Sequence, residues 1–248
     1  MARQARKKSQ TGIYHLMMRG NNKDQIFFDE QDYKKFISIL IQCKKISHFE
    51  MYAYCIMPNH VHLLLKETDE DISTIMKRIE CRFVYWYNAK YHRIGLLFQD
   101  RFRSEPIETD EYFLCALKYI HYNPIKAGLA KNCSDYEYES YHWYFENGIL
   151  IDKDFPLSLM SIHEFKKFHF QEDDTPSFID VVESRHHITD EEAATLICEI
   201  TKCQTPESFG ALDKSVQKQY LKQLKEAGIS IRQLTKLLNV TKRRAEKA

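Results

Sequence analysis

The apolar positions of this 248-residue chain change period several times, and each change marks an element. Residues 13–19 alternate weakly and predict a strand. Tyr33, Phe36, Ile37, Leu40 and Ile41 recur at helical spacing, which predicts an amphipathic helix over 30–46. Residues 49–57 and 60–66 read as two strands separated by Pro58-Asn59. Ile72, Ile75, Met76, Ile79, Phe83 and Trp86 form the inward stripe of a long helix over 71–91. A strand over 96–108, broken at Pro106, comes next. A helix over 109–122 follows, with Phe113, Ala116, Leu117 and Ile120 as its core stripe. It is expected to stop before Pro124, because a proline disfavours α geometry in the residue ahead of it. The order β-α-β-β-α-β-α predicts an α+β fold, a ferredoxin-like antiparallel sheet with helices on one face. Strand 60–66 would lie centrally, and the last helix would face the open side of the sheet.

Beyond residue 132 the pattern changes character. Tyr136, Tyr138, Tyr141, Trp143, Tyr144 and Phe145 mark an aromatic extension of the sheet domain, which is taken as residues 1–170. Residues 171–186 are acidic, contain Pro176 and read as a linker. Thr189 and Glu192 have the spacing of a capping box that opens a helix to about 202. Val216, Tyr220, Leu221 and Leu224 form a stripe ending at Gly228. Ser230 then caps a helix carrying Ile231, Leu234, Leu237 and Leu238. Asn239-Val240-Thr241 turns into the basic segment Lys242-Arg243-Arg244. Residues 187–248 are therefore expected to form a small all-α domain resembling a helix-turn-helix, with those three cations on DNA. The plainer reading is a helical bundle with a basic rim.

Composition narrows the class. The chain is 44% apolar and 29% charged with few Gly and Pro, as a globular protein is. No apolar run approaches a membrane span and no signal peptide is visible, so membranes are not expected as partners. Seven cysteines without a CxxC pair fit a reduced, cytoplasmic setting. The net charge is only +1, but its distribution is uneven. Arg3, Arg6, Lys7, Lys8, Arg19 and Lys23 precede or flank the first strand, with no acid before Asp24. Ten Lys or Arg residues lie in 214–248 against Glu226 and Glu246. Basic ends around an acidic middle suit a polyanion partner.

The candidate chemistry sits in Met57-Pro58-Asn59-His60-Val61-His62-Leu63-Leu64-Leu65. Side chains at i and i+2 of a strand share a face, so His60 and His62 project together and make half of a metal site. Two half-buried histidines on a sheet face are the alternative. Some sixty residues on stands Lys118-Tyr119-Ile120-His121-Tyr122-Asn123-Pro124. At ~100° per residue, Tyr112, Tyr119 and Asn123 fall within ~40° of one another, with Tyr119 about 110° from the centre of the core stripe. Tyr119 is thus a flank residue that shares a helix face with an amide.

These two motifs, with His15-Leu16-Met17-Met18-Arg19-Gly20-Asn21 before them, resemble the single-tyrosine HUH transposases, and within them the REP-associated tyrosine transposases. The resemblance covers roughly residues 10–145. It implies a metal-dependent, single-stranded DNA endonuclease and strand transferase acting on hairpin-bearing repeat DNA. Tyr119 would be the nucleophile that holds a 5′-phosphotyrosine. His60, His62 and Asn123 would hold Mg²⁺ or Mn²⁺. A tyrosine hydroxyl has an unperturbed pKa of about 10, so attack on a phosphodiester needs help from a cation. Imidazoles favour Mn²⁺ over the harder Mg²⁺. Arg19 and Asn21 beside Gly20 are candidate DNA contacts, as are Gln99, Arg101 and Arg103, which share one face of the expected strand. The protein is expected to be a monomer or homodimer. A non-catalytic nucleic-acid-binding regulator with the same fold is the competing reading, and a metal protein whose histidines only tie the sheet is a third.

Overall fold

The computed structural model describes residues 6–146, 148–170, 190–203, 205–227, 229, 231–241 and 243–244. The chain divides into two compact units, Met1–Val181 and Val182–Ala248. In the first, the elements run β1 (Ile13–Arg19), α1 (Glu30–Ser47), β2 (Glu50–Met57), β3 (His60–Lys66), α2 (Ile72–Lys90), β4 (Arg103–Pro106) and α3 (Asp110–Lys126). The four strands form one antiparallel sheet in the order β2-β3-β1-β4, so β3 is an interior strand.

Each helix begins where its sequence supplies a cap. Asp29 accepts from the backbone N–H of Asp32 while the Asp32 carboxylate reaches back, a full capping box for α1. Asp71 and Thr109 cap α2 and α3 in the same way through one bond each. Alternation along the strands then divides the sheet residues. Leu16, Met18, Val61, Leu63 and Leu65 point to one side and are all but closed to water. They pack with α1 and α2, whose Phe36 and Phe83 meet edge to face. His15, Arg19, Cys55, His60 and His62 point to the other side, where α3 lies against β2 and β3.

Two sequence expectations need correction here. The strand expected over 96–108 shrinks to β4, and Gln99 and Arg101 occupy bends. Leu97, Phe98 and Phe102 are buried, and the Asp100 carboxylate accepts from the N–H of Arg101, so the chain folds locally instead of extending. Helix α3 does not stop before Pro124 but continues to Lys126. The Ala127 N–H still reaches the Asn123 carbonyl, and that of Leu129 reaches Pro124, so only the bond that proline cannot donate is missing. Asn123 therefore stays in helical register with Tyr119.

The aromatic extension runs along the outer edge of β2. The Ile56 N–H donates to the Tyr138 carbonyl, and Ser140 N–H to that of Tyr54. The hydroxyls of Tyr136 and Tyr144 donate to the carbonyls of Ile56 and Tyr52. An edge that would otherwise offer unpaired backbone is thereby covered. Two helices follow, α4 (Asp154–Leu159) and α5 (Ile162–Phe170).

The second unit holds α6 (Asp190–Thr201), α7 (Pro206–Gly210), α8 (Lys214–Glu226) and α9 (Ile231–Leu238) around Phe209, Leu221, Leu224, Leu234 and Leu238. Helix α7 was not expected from the sequence pattern. The acidic linker, the caps assigned to Thr189 and Ser230, and Lys242 lie outside the described residues. No helix among the described residues is long and apolar enough to cross a membrane.

Candidate functional site

The hairpin between β2 and β3 turns at Pro58-Asn59 and delivers His60 as the first residue of β3. A loop after β1 is pressed onto this turn. Ile26 and Phe27 both donate to the Pro58 carbonyl, and Gly20 N–H donates to that of Asn59. A Cβ at Gly20 would collide with the carbonyl oxygen of Asp24, so only glycine allows this approach.

Asn59 is fixed from both ends. Its Nδ2 donates to the Lys23 carbonyl at 3.2 Å, which turns Oδ1 toward Nδ1 of His60 at 2.6 Å. An amide oxygen only accepts, so the His60 proton resides on Nδ1 and its Nε2 carries the lone pair. His62 lies on the same face, its ring centroid 5.0 Å from that of His60 and the planes nearly perpendicular. Its Nδ1 meets Nε2 of His15 at 2.9 Å, with both rings fully buried. When His62 donates across this bond, its Nε2 also presents a lone pair. Both imidazoles thus have a partner on Nδ1, the arrangement that orients metal-ligating histidines.

Tyr119 is brought to this pair from α3. Its ring lies edge-on to both His15 and His62, at centroid distances of 5.8 and 5.9 Å. Asn123, one turn on, donates from Nδ2 to the Tyr119 carbonyl at 3.3 Å. The Lys126 ammonium stands 4.7 Å from the centre of the Tyr119 ring. Tyr119 is only 4% exposed, so it is largely closed to solvent where it meets the sheet. Helix α3 lies against β2 and β3, and Lys126 covers the ring from two turns further on.

A divalent cation fits this donor set only in part from protein alone. Among the described residues no group of three or more His, Cys, Asp or Glu side chains could hold a metal. Two imidazole nitrogens remain, with Asn123 one helical turn from Tyr119 and bonded to its carbonyl, and so few protein donors would leave coordination positions for substrate oxygens. That balance suits a catalytic metal better than a structural one.

The other sequence candidates separate. Arg19 pairs directly with His60 across the sheet, Gln99 N–H donates to the Arg19 carbonyl, and Asn21 N–H to that of Leu97. These three therefore gather at the end of β1 beside His60. Arg103 flanks Met17 on β1, whose other neighbour is His62. Arg101 belongs elsewhere, close enough to Arg6 to help burial lower that guanidinium's pKa, while Arg6 stacks 3.6 Å over Phe102. Arg243 and Arg244 lie in the second unit. Sequence reasoning missed His15, Asn59 and Lys126. The first two stood inside the quoted motifs, and period-2 spacing from Arg19 and Met17 puts His15 on the histidine face.

Known proteins bear on this arrangement. Residues 8–123 match the family described as IS200-like transposases. The REP-associated tyrosine transposase of Escherichia coli is 27% identical over 139 residues, 54% of this chain and 78% of that protein. A Haemophilus influenzae protein assigned to the same group is 33% identical over 106 residues, 38% of this chain. That match spans 60% of the Haemophilus protein's length. In fold, the chain is similar to a solved REP-associated tyrosine transposase bound to a REP hairpin, with a TM-score of 0.55 and 21% identity. The likeness covers 72% of this chain and 96% of the other.

Proposed function

Since residues 8–123 place this chain among the IS200-like transposases, we propose that it is a transesterase that nicks and rejoins single-stranded DNA at a repeat hairpin. The observation that carries the reading is the meeting of Tyr119 with the strand-borne histidines, its ring within 6 Å of that of His62. The names of the relatives support a REP-type hairpin as the DNA partner.

His60, His62 and Asn123 would hold Mg²⁺ or Mn²⁺. When bound, such a cation draws charge from a non-bridging phosphate oxygen. The protein's own part is then positional. Tyr119 supplies the phenol oxygen that forms a bond to phosphorus as the bond to the 3′ oxygen breaks. The phenolic proton is released, and the departing oxygen becomes a 3′-hydroxyl. A second 3′-hydroxyl reverses the step, which rejoins strands without an added energy source. Arg19, Asn21, Gln99 and Arg103 would contact the strand beside His60. Arg243 and Arg244, with Lys242, would add phosphate contacts from a helix-turn-helix-like unit. Such contacts make affinity salt-dependent.

The burial of Tyr119 favours one rival, a DNA-binding regulator that retains the fold without cleaving. A single experiment separates the two. Hairpin oligonucleotides labelled at the 5′ or the 3′ end are incubated with protein and Mn²⁺ and run on a denaturing gel. The transesterase gives a covalent, slow-migrating band with one label only, absent in Tyr119→Phe. Binding without that band supports the regulator.

A further inference from the structure

On the flank of α3 away from the histidines lies a cavity of about 430 Å³, open on one side, between α3, the aromatic extension and α5. Tyr122 and Ile125 form its α3 wall. At ~100° per residue they sit about 60° and 120° around the helix from Tyr119. The active-site flank and this cavity are therefore neighbouring faces of the same helix.

The cavity has a definite chemistry. Tyr141, Phe145 and Phe170 give it aromatic walls, and Phe145 and Phe170 are 45% and 63% exposed. Lys131 and Lys166 stand on it, and no carboxylate lines it among the described residues. Asn132 and Ser134 also line it, their side chains bonded to the carboxylate of Asp135, which itself is not part of the lining. Behind the wall, the Lys118 ammonium lies 5.2 and 5.0 Å from the rings of Tyr122 and Phe168, which adds a third positive charge.

The back wall, His169, is locked in place. Ser140 Oγ accepts from the Tyr54 N–H, so its own proton goes to Nε2 of His121 at 2.9 Å. Nδ1 of His121 then donates to Nε2 of His169, also at 2.9 Å, and Nδ1 of His169 donates to the Phe165 carbonyl. Every polar hydrogen in that chain has a destination, so the wall is preorganised and uncharged.

Aromatic faces bordered by two lysines favour a planar anion. The volume lies within the range of small-molecule sites and accommodates one nucleotide. Stacking platforms bordered by positive charge are how proteins hold unpaired bases. We infer that this cavity takes one unpaired nucleotide of the single strand flanking the hairpin, its base stacked on Phe145 and its phosphate between Lys131 and Lys166. This deepens the proposed function and rests on it: a strand lying over Tyr119 would have its next turn of backbone directed along α3 into a base-holding pocket. No feature of residues 8–123 alone predicts it, because most of the walls come from beyond the family match.

The test measures binding to hairpin oligonucleotides in which each flanking position in turn is made abasic, using full-length Tyr119→Phe protein so that no strand is cut. One abasic position should weaken binding roughly five- to tenfold, a stacking-sized loss. The variant that also carries Phe145→Ala should bind the intact oligonucleotide equally weakly and be indifferent to that position. Lys131→Gln with Lys166→Gln should weaken all oligonucleotides and flatten their salt dependence. If Phe145→Ala leaves affinity unchanged at every position, the pocket assignment is overturned while the hairpin reading stands. If free deoxynucleoside monophosphates bind in a Phe145-dependent manner but strand affinity does not move, the assignment to the strand is overturned as well. Absence of any hairpin binding by the parent protein overturns both readings.

Discussion

Nε2 of His15 stands 2.9 Å from Nδ1 of His62, in a part of the sheet closed to solvent. His15 is thus the partner that sets which nitrogen of His62 faces Tyr119. Removing such a partner typically costs 10–100-fold in metal affinity. His15→Ala should weaken Mn²⁺ binding by about that factor, read by electron paramagnetic resonance without DNA. His15→Gln, which can still accept from Nδ1, should recover much of the loss. Equal Mn²⁺ affinity in His15→Ala and the parent would remove His15 from this role.

The metal itself is tested by removal and replacement. EDTA should abolish covalent-adduct formation, and Mn²⁺ should restore at least as much activity as Mg²⁺ at equal concentration, because imidazole is a borderline ligand. His60→Ala should lower Mn²⁺ affinity without unfolding the protein, since that ring is only half-buried. Activity with Mg²⁺ and none with Mn²⁺ contradicts the two-histidine site.

Lys126 covers the ring of Tyr119 yet is itself exposed. Lys126→Ala should raise the rate of Tyr119 nitration by tetranitromethane several-fold, measured on the isolated peptide, while thermal stability changes little, as for most surface substitutions. An unchanged nitration rate shows that α3, not Lys126, keeps the phenol from solvent.

Acid should loosen the junction of α3, the extension and α5. Burial lowers the pKa of His169 to about 4 and that of His121 well below its usual value. Both rings protonate more readily in the unfolded chain, so their contribution to stability is present above about pH 6.5 and is lost as pH falls toward 4. Glu139 runs the opposite way, because burial raises its carboxyl pKa well above the usual range. At 3.9 Å from His121 it is within ion-pair distance, and burial disfavours charge on both groups. The melting temperature should therefore drop between pH 6.5 and 4, and His169→Gln should flatten that slope. An identical slope in the variant assigns the acid sensitivity to other groups.

Much of the first unit was legible because its periods are strong and its caps are conventional. Strand His60–Lys66 has the bounds its sequence pattern predicts, and Asp71 and Thr109 cap the helices they precede. Pro124 misled because a proline in the last turn removes one bond without ending a helix when later amides reach back. Gln99 and Arg101 misled because three buried apolar residues nearby imitate a strand while folding as bends. The histidine pair and Tyr119 could be found from spacing, but their closeness depends on how α3 crosses the sheet, which no local pattern encodes. The partners His15 and Asn59 become visible only once the register is known.

The central claim is chemical: Tyr119 takes up the strand. After reaction of the full-length protein with a hairpin oligonucleotide and Mn²⁺, nuclease and protease digestion followed by mass spectrometry identifies the modified peptide. The account predicts a nucleotide joined through its 5′-phosphate to Tyr119, together with a free 3′-hydroxyl on the released fragment. Cleaved DNA bearing a free 5′-phosphate and no adduct, or an adduct on another residue, contradicts it.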